Sequence, residues 1–127
     1  MERKVIATDG APGAVGPYSQ AISTGSLVFT AGQVPIDPAT GRVTATTIED
    51  QTRQALSNVK AILEAAGSSL DRAVKMTVFM TDLGDFAAMN GVYAEFFPSD
   101  PPARSAVQVV ALPLGAQIEI EAVAAII

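Results

Sequence analysis

Arg104 lies in the run PPARSAVQVV, and Glu119 and Glu121 lie in QIEIEA, two segments that alternate as β-strands do. Ala103, Ser105, Val107 and Val109 alternate with Arg104, Ala106, Gln108 and Val110; Ile118, Ile120 and Ala122 alternate with Glu119, Glu121 and Val123. Period two puts each set on one face of a strand, so the arginine and both glutamates share faces with apolar residues. A guanidinium among small apolar groups contributes little to a sheet and is well suited to grip a carboxylate. It is equally suited to an ion pair with a glutamate. Glu119 or Glu121 suits the activation of water, pairing with Arg104, or plain exposure to solvent. A hairpin centred on LPLGA sets Arg104 opposite residues near 123 and leaves Glu119 about 13 Å along the sheet. Either the two strands are not hairpin neighbours, or the charges meet by another route, such as across a subunit boundary.

Asn90 falls on the apolar stripe of a helix, where a buried amide needs partners; it is a satisfied structural amide or part of a site wall. Tyr18, after Gly16-Pro17, suits a lid over a pocket or a half-buried core position. Gly32 stands where a strand gives way to a loop, and lets backbone approach a ligand or turns the chain. Thr30 and Ser105 are hydroxyls that nothing in the sequence activates.

What is missing narrows the chemistry further. The 127 residues contain no Cys and no His, so thiolate nucleophiles, disulfides, Cys-ligated metals and the commonest general base are excluded. Catalysis would run on carboxylates, Arg, Lys, hydroxyls, amides and water, which removes most metal and triad hypotheses. A net charge of −5 with eight scattered Lys and Arg argues against nucleic acid. No apolar run reaches the roughly 18 residues that cross a membrane, which argues against a membrane partner. MERKVIATDG lacks the apolar core of a secretory signal, so a cytoplasmic protein is expected.

The elements that position these residues are legible from periodicity. Lys4–Thr8, Tyr18–Ser23 and Leu27–Ala31 read as strands, the last two joined by Thr24-Gly25-Ser26 as a hairpin. GAPGAVGP and GQVPIDPATG are loops, the second with a turn over residues 37–41. Ile48, Thr52, Ala55, Leu56, Val59, Ile62, Leu63 and Ala66 make one helical stripe, with Thr46 and Glu49 as a capping box and Gly67 as the stop. Ala73–Thr81 is a strand with Val74, Met76, Val78 and Met80 on one side. Asp82 is the expected cap of a second helix that ends before Pro98, its stripe formed by Phe86, Met89, Asn90, Tyr93, Phe96 and Phe97. These elements predict a single α+β domain over residues 1–127, two layers with both helices on one face of a mixed sheet. The other face keeps Val, Ala, Ile and Phe, and self-association is the expected cover.

GPYSQA at 16–21, TAGQVP at 30–35, NVKAILEAAG at 58–67, and PPARSAV followed by IEIEAVA resemble the RidA (YjgF) family of reactive imine/enamine deaminases, essentially end to end. The resemblance implies a chorismate-mutase-like fold assembled as a homotrimer with ligand clefts between subunits. It implies hydrolysis of 2-iminobutanoate and 2-iminopropanoate to 2-oxo acids and ammonia, without a cofactor. It places the carboxylate-binding arginine on Arg104, the water-activating acid on Glu119, the cleft tyrosine on Tyr18, the backbone-contributing glycine on Gly32 and the site asparagine on Asn90. Ala31 and Ala106 stand where many members have Ser and Cys, which bears on substrate preference. The alternatives are a non-catalytic trimer that binds small carboxylates or serves in stress, and an endoribonuclease.

Overall fold

The computed structural model describes residues 2–126. One six-stranded mixed sheet is built from β1 (Lys4–Ile6), β2 (Ala21–Ser23), β3 (Leu27–Thr30), β4 (Ala73–Met80), β5 (Ala103–Gln108) and β6 (Ile118–Ala125), in the spatial order β1-β2-β3-β6-β4-β5. Helices α1 (Ile48–Ala65) and α2 (Phe86–Phe96) pack on one face, as expected for this α+β class. Neighbouring strands run antiparallel except β4 and β5, which are parallel and joined through α2. This decides the question left by LPLGA. The helical crossover returns β5 to the outer side of β4, and β6 then fills the place between β4 and β3, so β5 and β6 are not hairpin neighbours.

The core forms where the α1 stripe meets alternate residues of the two central strands. Leu56, Val59, Ile62 and Leu63 are buried against Met76, Val78, Met80, Ile118, Ile120, Ala122 and Ala124. Such side chains contribute about 1.5–3 kcal/mol each when removed from water. Two amides on the same helix are buried as well. Asn58 donates to the carbonyls of Val34 and Ile36, and Gln51 donates to Ala45 O while accepting the N–H of Gln117. They fasten the long loop after β3 to the helix.

Three local expectations are corrected. The cap of α1 is Thr47, which accepts the Asp50 N–H at 3.1 Å, so the start lies one residue beyond the Thr46–Glu49 box. Thr47 is the last residue with extended backbone, and the cap belongs to that residue. Val74 does not join the Met76 row: the register against β6 shifts between Ala73 and Lys75, and the extra residue turns outward, half exposed. Asp82 accepts the Gly84 N–H at 2.7 Å and so caps the 3-10 turn Leu83–Asp85 that leads into α2, not α2 itself. The stop at Gly67 holds, with φ of +85°.

The second sheet face carries Phe29, Phe79, Val107 and Val123 among Lys75, Thr77, Glu119 and Glu121. Phe29 and Val107 are 42 % and 43 % exposed, in keeping with the expected apolar second face. Among the described residues no helix is long and apolar enough to cross a membrane.

Candidate functional site

Arg104 lies level with Met76 and therefore on the helix-covered face, at the edge strand. Its Nη1 donates to Asn90 Oδ1 at 2.7 Å, and its Cζ sits 4.7 Å from the Tyr93 ring centroid and 5.3 Å from that of Phe86. Phe86, Asn90 and Tyr93 follow one another at i, i+4 and i+7 on α2, so one helical stripe presents all three. Among the described residues the ion pairs are those of Arg53 with Asp50 and Glu95, and none involves Arg104. The guanidinium is ordered by an amide and two rings, and its remaining donors are left for an anion. Beside it runs a groove of about 520 Å³ lined by Tyr93, Phe97, Pro101 and Pro102.

Glu119 pairs with Phe79 and projects from the opposite face. Its carboxylate lies over Gly32: a Cβ on that residue would stand 2.5 Å from Oε2 and 2.7 Å from Cδ. A bulge brings the two together. Phe29 pairs with Val123, yet Gln33 and Ile120 exchange both backbone bonds, so four steps on one strand oppose three on the other. Thr30 Oγ1 accepts the Ala122 N–H that the interrupted ladder leaves over, at 3.0 Å. Burial pushes the Glu119 carboxyl above its ordinary range, and the like charge of Glu121 raises it further.

Tyr18 is 51 % exposed and lines a depression of about 460 Å³ with Phe29, Thr30 and Ala31, beside the Gly32 bulge. Gln20 secures this corner. Its side chain accepts the Thr8 N–H and donates to the carbonyls of Thr8, Ala11 and Pro12, while its own carbonyl accepts the Ala31 N–H. Ser105 Oγ accepts from Lys75 Nζ at 2.9 Å.

The anticipated site residues thus fall into two groups. Arg104 and Asn90 are joined by a hydrogen bond; Glu119 lies on Gly32, with Tyr18 at the rim. On one chain the groups stay apart, because β4 lies between their strands and they face opposite ways. Two strand spacings and three residues of rise separate the Arg104 and Glu119 Cα atoms by about 14 Å. Phe86, Tyr93 and Gln20 went unassigned in the reading by sequence. The signal for the first two was an asparagine flanked at i−4 and i+3 by aromatics on one helix face. For Gln20 it was a polar residue inside an otherwise apolar strand start.

With the fold and these two clusters in place, the chain falls into a class of small α+β proteins that solved structures share. Residues 8–126 match the family model described as Endoribonuclease L-PSP. The chain belongs to that family, the RidA (YjgF) family that its motifs resemble. It is 57 % identical to the RutC family protein PH0854 of Pyrococcus horikoshii, over 96 % of this chain and 97 % of that one. It is 47 % identical to Reactive Intermediate Deaminase A, chloroplastic, of Arabidopsis thaliana, over 98 % of this chain and 66 % of that one. The crystal structure of E. coli TdcF with bound serine superposes with a TM-score of 0.93 at 51 % identity, covering 96 % of this chain and 98 % of the other.

Proposed function

We propose that this protein is a deaminase for reactive imines and enamines, hydrolysing 2-imino acids such as 2-iminopropanoate and 2-iminobutanoate to 2-oxo acids and ammonia. The observation that carries the reading is Arg104, ordered over α2 with no carboxylate partner among the described residues. A relative named for reactive intermediates, and a similar structure that holds an amino acid, support a small carboxylate as its ligand.

Arg104 grips the substrate carboxylate through a bidentate pair of N–H donors, with Asn90 holding the guanidinium. The imine carbon is then oriented beside a water, and orientation replaces a loose encounter. Glu119, its carboxyl raised and therefore more basic than usual, accepts a proton from that water as it adds to the carbon. Glu119 returns that proton to the carbinolamine nitrogen, and ammonia leaves as the hydroxyl gives up its proton to solvent and becomes the carbonyl of the 2-oxo acid. The protonated imine is already electrophilic, so this scheme calls on no cofactor.

Because Arg104 and Glu119 face apart on one chain, the complete site in this reading lies between two copies: Arg104 and Asn90 from one, Glu119, Gly32 and Tyr18 from the next. A homotrimer meets this need with three equivalent clefts, and covers the apolar second sheet face. The family model's description names an endoribonuclease, but a net charge of −5 and the absence of His disfavour RNA cleavage by this chain. The direct test is ammonia release from freshly generated 2-iminopropanoate by wild type and Arg104→Ala. A rate above background that the variant loses is expected. Background rates for both, with bulkier imino acids as well, would overturn the proposal.

A further inference from the structure

Arg104 is unusual in the company it keeps. Thirteen acidic residues are present in the chain, yet among the described residues its guanidinium contacts an amide and two aromatic rings and no carboxylate. The geometry explains what the rings offer. A guanidinium is a flat cation whose faces attract the π-clouds of aromatic rings, while its N–H donors point outward along its edges. Rings 4.7 Å and 5.3 Å from Cζ hold the cation without neutralising the edge that would meet an anion. A glutamate in their place would bind that edge and have to be displaced.

Tyr93 meets the cation with its ring. The side chain is buried at 6 % exposure, and its hydroxyl has no hydrogen-bond partner among the described residues. Burial raises its pKa, with the charge and the N–H donors of the nearby Arg104 opposing, so the ring meets the cation as a neutral phenol.

We infer that Tyr93 and Phe86 are positioning residues for Arg104: their rings hold the guanidinium in one orientation with its charge unneutralised, so that a substrate carboxylate meets an ordered edge. This rests on reading Arg104 as the carboxylate holder. The energetic consequence is that a long side chain loses its rotamer freedom before the ligand arrives and not upon binding.

The test has two readouts in wild type, Tyr93→Phe, Tyr93→Leu and Phe86→Leu. The first is the ring-current shift of the Arg104 Nε–Hε resonance, which needs no ligand; the second is the Kd for 2-oxobutanoate by titration calorimetry. Tyr93→Phe is expected to keep the shift and bind within about twofold of wild type, since the ring remains. Tyr93→Leu is expected to lose most of the shift and weaken binding about 3- to 30-fold, with Phe86→Leu showing a smaller loss of the same kind. Both leucine variants, folded by circular dichroism, keeping the shift would overturn the inference, as would Tyr93→Phe losing affinity as far as Tyr93→Leu. Should Tyr93→Leu fail to fold, Phe86→Leu decides alone, since Phe86 is only partly buried at the margin of the core. A wild type that shows the shift and binds no 2-oxo acid would sink the carboxylate reading of Arg104 while the resonance still reports on the rings.

Discussion

The carboxylate of Glu119 rests on the Cα of Gly32, leaving no room for a side chain at residue 32. What a methyl there would strike is chiefly the outer end of a rotatable glutamate, so Gly32→Ala has a cheap way to relax: Glu119 swings aside. Its melting temperature should change little, while turnover falls about tenfold or more as the proposed base leaves its place. Steady-state kinetics beside thermal unfolding separate the two. Unchanged turnover would mean that the position of this carboxylate is immaterial.

Glu119 also carries a pH signature. Burial and Glu121 raise its pKa in the folded chain, so the folded state binds its proton more tightly than the unfolded chain does. The stability from that proton is fully present below the unfolded-state value and is lost as pH rises through the raised one. Glu119→Gln should therefore melt above wild type at neutral pH, the difference vanishing in acid. The same variant should bind 2-oxo acids yet turn over slowly, and the wild-type acid limb should lie above the ordinary carboxylate range. Loss of binding in Glu119→Gln would make Glu119 a structural partner instead.

Arg104→Lys tests the fork. An ammonium keeps the charge but offers neither flat faces to the two rings nor paired in-plane donors. A drop in kcat/KM of about 10- to 100-fold with an unchanged circular dichroism spectrum is expected, in line with the loss of one charged hydrogen bond. Near-normal turnover would remove Arg104 from the mechanism.

A site divided between copies predicts complementation. Arg104→Ala and Glu119→Ala should each be inactive alone. Unfolded together in equal amounts and refolded, they should recover about one quarter of wild-type activity, because random assembly around a ring gives that share of intact clefts. A mixture as inactive as its parts would place both residues in separate events on one chain.

Thr30→Val probes the bulge. Losing the bond to the Ala122 N–H strands a backbone donor and should cost about 1–2 kcal/mol in denaturant unfolding. It should lower turnover too, since the bulge presents Gly32 to Glu119. A variant as stable as wild type would show that the ladder closes without the hydroxyl.

Much of this was readable from the chain, and the failures share a cause. The stripe from Ile48 to Leu63, the Met76-Val78-Met80 row and the Gly67 stop are local patterns, and one segment suffices to express them. Arg104, Asn90, Glu119 and Gly32 stood out for the same reason, as residues discordant with their own stretch. The neighbours of a strand are not local: nothing in Ile118–Ala125 says that it lies between β3 and β4 instead of beside β5. The bulges at Val74 and Thr30–Gly32 exist only in relation to a partner strand. Phe86 and Tyr93 were visible as apolar residues; their part in holding a cation depends on which side chain crosses the helix.

The place of β6 has a consequence for how the chain comes into being. The strand with neighbours on both sides at the centre of the sheet is the last element in order, so β1-β2-β3 and β4-α2-β5 remain two unjoined fragments with open hydrogen-bonding edges until it arrives. A nascent chain stopped before residue 118 would hold no continuous sheet, and both edges could recruit strands from other molecules. Joining of the two halves of the sheet thus waits on Ile118–Ala125, and a chaperone that shields the nascent chain would matter most in the interval before that strand is released.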